Sequence, residues 1–180
     1  NSLSPVQAGI PDFPVNEAKT LAQITLLAKV MAGSGYFKDA VDVRQAISKM
    51  IIGQSIGVGP VAAMMGLNVI EGKPSIGGNI LAGLVKSHPR YDYRIVEMTH
   101  ERCEIAFYQD GAEMGTSPYD LKDAQLAGLA NKANWKSSVR NMLFNRAVSN
   151  GVKWFCADVT LGMPVYTEGE IEDERQALAA

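Results

Sequence analysis

Apolar residues recur at helical spacing in the first third of the chain. Those within residues 21–31 lie three and four apart, which predicts a helix that Asn16 caps and Gly33 ends. Asp42 is followed three positions later by Gln45, a pair typical of a capping box, and this predicts a second helix. We therefore expect the N-terminal part of the chain to be helical.

The hydrophobic period changes after a short helix that we expect over residues 60–66. Shorter apolar runs, some with alternating polar residues, predict four strands, which are Leu67–Glu71, Tyr91–Met98, Cys103–Gln109 and Ala112–Thr116. Asp110-Gly111 between the last two strands is a favourable two-residue hairpin turn. Residues 75–87 contain several glycines and are more helical in character towards Lys86. We expect a small antiparallel meander.

Helical spacing returns after the meander. Ser117 and Pro118 predict the cap and first position of a helix that ends at Gly128. Asn134 is expected to cap the longest helix, which runs from residue 135 to between 150 and 155. The predicted fold class is α+β: a small antiparallel β-meander packed with several helices, with one long helix near the C-terminus.

Composition agrees with a globular protein. Of 180 residues, 47% are hydrophobic and 20% are charged, which excludes a wholly disordered, collagen-like or coiled-coil chain. We expect one domain over residues 1–170 and an acidic tail over residues 171–180. Cys103 and Cys156 form no CxxC pair, and no apolar run approaches the ~20 residues of a membrane span. We therefore expect a reducing, cytoplasmic environment and no membrane contact.

Charge is distributed unevenly along the chain. The formal net charge is -2, but residues 158–180 contain six acidic side chains and one arginine, so residues 1–157 carry +3. No acidic residue lies between Asp123 and Asp158. The basic residues in that interval are Lys132, Lys136, Arg140, Arg146 and Lys153. A polyanion responds to such a local stripe, because salt screens charges beyond a Debye length of about 8 Å.

Arg146 falls within an apolar stripe of the longest predicted helix, over residues 135–147. A second apolar face on the same helix predicts that it is sandwiched in the core. An arginine buried there must meet a carboxylate or a phosphate, because an unpaired buried charge is costly. One interpretation is an internal ion pair, for example with Asp158 or Asp123. The other is a groove whose cations bind a nucleic-acid backbone, and these are Arg140, Arg146 and Lys153.

Motifs for catalysis or cofactors are weak. Residues 66–73 resemble a P-loop only superficially, since five residues instead of four separate the glycines and Pro74 follows the lysine. His88 and His100 have no second ligand at zinc-binding spacing. Trp135 is interpreted as a core anchor rather than a base-stacking platform. The nearest carboxylate cluster, which a metal-dependent nuclease would require, is Glu97, Glu101 and Glu104.

Taken together, these segments resemble the RecT/Red beta family of phage single-strand annealing proteins. The resemblance covers roughly residues 20–170 and is most specific over residues 134–147, which read NWKSSVRNMLFNRA. The other similar segments are 53–74, 91–117, 123–129 and Tyr166-Thr167. One departure is Val139, where many members of the family have proline.

The resemblance implies ATP-independent annealing of complementary strands in homologous recombination, on rings or helical filaments of many subunits. It implies neither a catalytic site nor a required cofactor, with Mg²⁺ acting only as a counter-ion. In the family, basic residues of the corresponding helix contact the DNA backbone, and by position these are Arg140, Arg146 and Lys153. Charge alone adds four further candidates, which are Lys132, Lys136, Lys73 and Lys86.

The expected partners are single-stranded DNA, the annealed duplex and further copies of the chain, in the cytoplasm of a bacterial host. The resemblance also implies a phage exonuclease and the host single-strand-binding protein. We expect the family's C-terminal region that contacts the latter to be missing here. Two other classes stay open: a nuclease in which Arg146 positions a phosphate, and a phage structural protein that assembles without DNA.

Overall fold

The computed structural model describes residues 14–37, 40–70 and 73–162, apart from the side chains of Val15, Val69, Ile70, Lys73 and Pro74. The chain divides into two compact units, the first through Asn68 and the second from Val69. The expected acidic tail and the Tyr166-Thr167 segment lie outside the described residues. The expectation of one domain over residues 1–170 stays a prediction.

The first unit is helical. Its elements are a 3-10 turn, Val15–Glu17, followed by α1 (Leu21–Gly33), α2 (Val43–Ser55) and α3 (Pro60–Gly66). Their shared core consists of Ala18, Ile24, Leu27, Ala28, Ala32, Ala40, Ala46, Met50 and Met64. Lys49 is buried as well, and its ammonium group donates a hydrogen bond to the Met64 carbonyl at 2.8 Å.

Local capping sets the first two helix starts. The prediction that Asn16 caps α1 is wrong, because the Thr20 hydroxyl accepts the Gln23 N–H and the Gln23 side chain accepts the Thr20 N–H. The capping box of Asp42 with Gln45 is confirmed at the start of α2. Of the helices in the described part of the chain, none alone is long and apolar enough to cross a membrane. Only α2 and α3 taken together, bent by 110°, meet that length and composition.

The second unit combines sheets and helices. Strand β1 (Leu67–Ile70), at the boundary of the units, pairs with β2 (Lys73–Ile76), and α4 (Gly78–Ser87) follows. The meander of β3 (Tyr91–Met98), β4 (Arg102–Gln109) and β5 (Ala112–Asp120) is antiparallel in the order β3-β4-β5. The remaining elements are α5 (Leu121–Leu126), α6 (Ala133–Ser137), α7 (Val139–Phe155) and a 3-10 turn, Ala157–Thr160. The predicted α+β class, with its meander and long helix, is confirmed.

The end of β5 and the start of α5 differ from the sequence prediction. Ser117 and Pro118 do not start a helix, because β5 continues to Asp120, whose carboxylate accepts the Lys122 and Asp123 N–H groups and caps α5. Proline is tolerated there because β5 is an edge strand of the three-stranded sheet. The Asp110-Gly111 turn is confirmed, with φ angles of 52° and 83°.

The predicted long helix begins later than expected, after a break near its start. Ser138 has φ -143° and ψ 46°, which are not helical angles, so α6 ends before it and α7 begins after it. Asn134 therefore lies inside α6 and does not cap the long helix. The break places Lys136 in α6 and Arg140, Arg146 and Lys153 in α7.

Helix α7 is sandwiched, as its two apolar faces predicted. It packs against β4 and β5 and also against α4. Gly151 allows the close approach, because a Cβ at this position would overlap the buried Phe107 ring. The Ser117 hydroxyl also donates to the Ala147 carbonyl at 2.8 Å, which attaches β5 to α7.

We expect Gly151→Ala to destabilise the protein, because the new methyl group must displace Phe107. Overpacking of this kind costs about 1–3 kcal/mol. Gly83→Ala is the matched control, because Gly83 lies in α4 with no atom within 4 Å of an added Cβ. That variant should gain up to about 1 kcal/mol from helix propensity. Urea unfolding measures both, and equal stabilities would contradict the proposed packing.

The thiols of Cys103 and Cys156 should be unreactive in the folded protein. Both are buried, and burial raises the pKa of Cys103 to about 11 and that of Cys156 to about 12. A thiol reagent at about pH 8 should therefore label neither cysteine until denaturant is added, since the thiolate is the reactive form. Stoichiometric labelling of the native protein, measured by mass spectrometry, would contradict this arrangement.

Candidate nucleic-acid interface

An open cleft of about 460 Å³ lies at the break between α6 and α7. One side comes from Met98 at the end of β3 and His100 in the following turn. The other side is the continuous segment from Lys136 to Asn141. All of these residues belong to the second unit.

The cleft is electropositive. Lys136 and Arg140 are exposed and flank the break at Ser138. Ser137, Ser138 and Asn141 add neutral hydrogen-bond donors. Among the described residues that line the cleft, none is acidic. The arrangement can hold an anion with two exposed cations and several neutral donors.

The start of α7 adds to this field. Ser138 makes no side-chain capping hydrogen bond, and the first intrahelical bond runs from the Met142 N–H to the Ser138 carbonyl. The amides of the first turn therefore lack a helical acceptor and point towards the N-terminal end. Helix N-termini of this kind attract phosphates, because the backbone dipoles leave partial positive charge there.

The other predicted cations occupy different surroundings. Lys153 is exposed near the end of α7, and Lys132 is half-buried just before α6. Lys86 donates to the Asp92 carboxylate and to the Tyr93 carbonyl, and its ammonium group lowers the pKa of Asp92. The Lys73 side chain lies outside the described residues. Of the predicted residues that are described, the cleft thus brings together Lys136 and Arg140.

Arg146 is buried, with 7% of its surface exposed. Its guanidinium carbon lies 5.5 Å from the centroid of the Tyr119 ring, within cation–π range. Tyr119 in turn packs against the buried Trp135, with the ring centroids 6.2 Å apart. This position explains how an arginine fits into the apolar stripe, and its contact with DNA stays a prediction.

The two carboxylates suggested for Arg146 have other hydrogen-bond partners. Asp158 accepts the Tyr91 hydroxyl at 2.9 Å. Burial and this hydrogen bond raise the pKa of Tyr91. Asp123 accepts the Asp120 N–H at 3.0 Å as part of the α5 capping box. Both acids therefore have local structural roles.

The carboxylate cluster considered for a nuclease is engaged by an arginine. Glu97 and Glu104 are cross-strand neighbours, and the Arg102 guanidinium lies 3.3 Å from Glu97 and 2.9 Å from Glu104. Hydrogen bonding to Arg102 lowers the pKa of Glu104. Within the described ranges, no group of three or more His, Cys, Asp or Glu side chains could hold a metal ion.

A second groove, of about 500 Å³, was not predicted. It lies between β5, α5 and the end of α7, and Trp154 and Leu126 line it while exposing 58% and 90% of their surfaces. Helical spacing places Trp154 on the same side of α7 as the buried Leu143, so periodicity carries no signal of its exposure.

Comparison with known proteins adds no assignment: no model of a known protein family matches the chain, and no curated protein matches it. The resemblance to annealing proteins therefore stays a prediction that rests on the residues quoted above.

We expect Arg146→Ala to lower the free energy of unfolding by about 2 kcal/mol or more, because it empties a buried position beside Tyr119. Arg140→Ala, which removes the same side chain from an exposed position, should change it by less than about 0.5 kcal/mol. Urea unfolding followed by circular dichroism compares the two variants. Equal stabilities would show that the Arg146 side chain does not support the core.

Proposed function

We propose that this chain is an ATP-independent single-strand DNA annealing protein, active in the cytoplasm of a bacterial host. The observation that carries the proposal is the cleft at the start of α7. It combines Lys136, Arg140 and an uncapped helix N-terminus, and no acidic side chain is among its described lining residues.

The chemistry of the cleft suits a sugar–phosphate backbone. Arginine can bind a phosphate with two parallel hydrogen bonds, and lysine acts as a point charge beside it. Hydroxyl and amide groups complete the contacts. Such contacts position a strand but read no sequence. The base edges then remain available, and Watson–Crick pairing supplies the specificity of annealing without a catalytic group or ATP.

The break at Ser138 also supports the resemblance to the RecT/Red beta family. Val139, the position at which many family members have proline, is the first residue of α7. Proline is favoured at the first position of a helix, because the N–H that it lacks has no acceptor there. The family's proline would therefore fit this backbone.

The proposal requires many subunits. Two cations in one cleft neutralise few phosphates, so one subunit binds weakly, and affinity rises steeply when linked subunits bind the same strand. We therefore propose a ring or helical filament that holds single strands and the annealed duplex. A phage exonuclease and the host single-strand-binding protein are the further partners that this function implies.

Removing either cleft cation should weaken DNA binding and its salt dependence together. Each lost phosphate contact should reduce the slope of log K against log salt by about 0.7 for a single strand. The variants are Lys136→Ala and Arg140→Ala, and the matched control is Lys122→Ala, an exposed lysine on α5 outside the cleft. Fluorescence anisotropy with a labelled oligonucleotide measures the slopes. Equal effects of all three variants would overturn the assignment of the cleft.

An annealing assay separates the proposed function from the other two classes. The protein is mixed with one strand and then with its complement in the presence of Mg²⁺. Duplex formation with strands of unchanged length supports annealing. Shortened strands would instead indicate a nuclease, and assembly of the pure protein with no retention of DNA would indicate a structural protein.

A further inference from the structure

Trp154 is an unusual surface residue. Large aromatic side chains are highly buried on average. Trp154 and Leu126 are both exposed and line the same groove, and contiguous exposed apolar surface marks interaction sites. The Phe155 ring lies against Trp154 edge-on, with the centroids 6.2 Å apart and the planes at 87°. The indole is therefore supported on one side, while 58% of the residue remains exposed.

The lining of this groove suits an uncharged, planar ligand with polar edges. Trp154 and Leu126 offer apolar surface, the Asn150 amide both donates and accepts, and the Asp123 carboxylate accepts. Among the described residues of the groove, none is basic. The carboxylate repels phosphate and can accept hydrogen bonds from the exocyclic amino groups of adenine, cytosine and guanine. The charge pattern is thus the opposite of that in the cleft.

The sheet register relates the groove to the cleft. Met98 pairs with Cys103, and Cys103 pairs with Tyr119, so the three residues form one row across the sheet. Cross-strand partners present their side chains on the same face. Met98 lines the cleft and Tyr119 lines the groove. Two strand spacings separate Met98 from Tyr119 by about 10 Å. Arg140 and Trp154 lie farther apart, at opposite ends of α7, about 21 Å along the helix axis. A single strand of several nucleotides spans that distance.

We propose that the groove beside Trp154 stacks an unpaired nucleobase of the strand whose phosphates bind in the cleft, an inference that rests on the proposed function. The cleft holds the backbone by charge, and Trp154 holds a base several nucleotides away by its π-face. Stacking tolerates every base, because each has such a face. The groove therefore adds affinity for single strands over duplex DNA, whose bases are already stacked on each other.

The test compares Trp154→Ala with Trp154→Phe and Trp154→Leu on a mixed-sequence single strand. Loss of one stacked base should weaken binding about 5- to 150-fold. The salt slope should stay at the wild-type value because no charge is removed, in contrast to Arg140→Ala. Phenylalanine should restore much of the affinity, whereas leucine, which is apolar but has no π-face, should not.

Two further measurements, one with an abasic strand and one of tryptophan fluorescence, separate base stacking from backbone binding. An abasic strand of the same length keeps the phosphates, so its affinity should be equal for the wild type and Trp154→Ala. DNA should also quench the tryptophan fluorescence of the wild type but not of Trp154→Phe, because the other tryptophan, Trp135, is buried. Equal quenching of the wild type and of Trp154→Phe would overturn the proposal.

The outcomes separate the two proposals. If the wild type binds neither the mixed-sequence strand nor the abasic strand, the proposed function fails. If the wild type binds both strands but Trp154→Ala binds the mixed-sequence strand equally well, only the base-stacking groove is overturned. If Trp154→Ala dissociates a DNA-free oligomer in sedimentation while affinity for the strand is unchanged, the groove is a contact between copies of the chain, which also overturns it.

Discussion

The close approach of α7 to the sheet at Gly151 is the contact on which the second unit depends. The Phe107 ring occupies the space that any larger side chain at this position would need, and the Ser117 hydroxyl binds the Ala147 carbonyl one turn earlier. These contacts hold the middle of α7 between the sheet and α4. Its two ends carry the exposed residues, with Arg140 in the cleft and Trp154 in the groove. A single packing constraint thus sets the positions of both candidate sites.

Burial separates the cations of the basic stripe into different chemical roles. Arg146 lies under the surface beside Tyr119, where its long side chain fills space and its charge faces a ring. Arg140 lies six residues earlier on the same helix and is exposed. Lys86, which charge alone suggested, already binds the Asp92 carboxylate. A basic stripe in a sequence is therefore not a basic surface, since only cations that reach solvent can exchange water for phosphate.

In the proposed function, the cleft binds the DNA backbone and the groove binds a base. Cationic side chains make contacts with the DNA backbone that are strong at low salt and independent of base sequence. Stacking gives contacts to bases that salt affects little and that a paired base cannot make. A strand held by both is bound while single and released from the aromatic contact as it pairs. In the proposed ring or filament, each subunit contributes few contacts of either kind, so a bound strand can exchange one complementary strand for another.

Features governed by neighbouring residues could be read from the sequence. The strand Tyr91–Met98, the Asp110-Gly111 turn and the Asp42 capping box all follow from local spacing and backbone preference, and so does the sandwiched character of α7. Charge patterning also singles out Lys136 and Arg140, which line the cleft, as DNA-binding candidates, and that role stays a prediction. Tertiary packing alone decided the break at Ser138, the extension of β5 to Asp120 and the exposure of Trp154. Helical periodicity predicts on which face of the helix a residue lies. It does not predict where the neighbouring sheet ends, and a residue on that face is buried only where the sheet covers it.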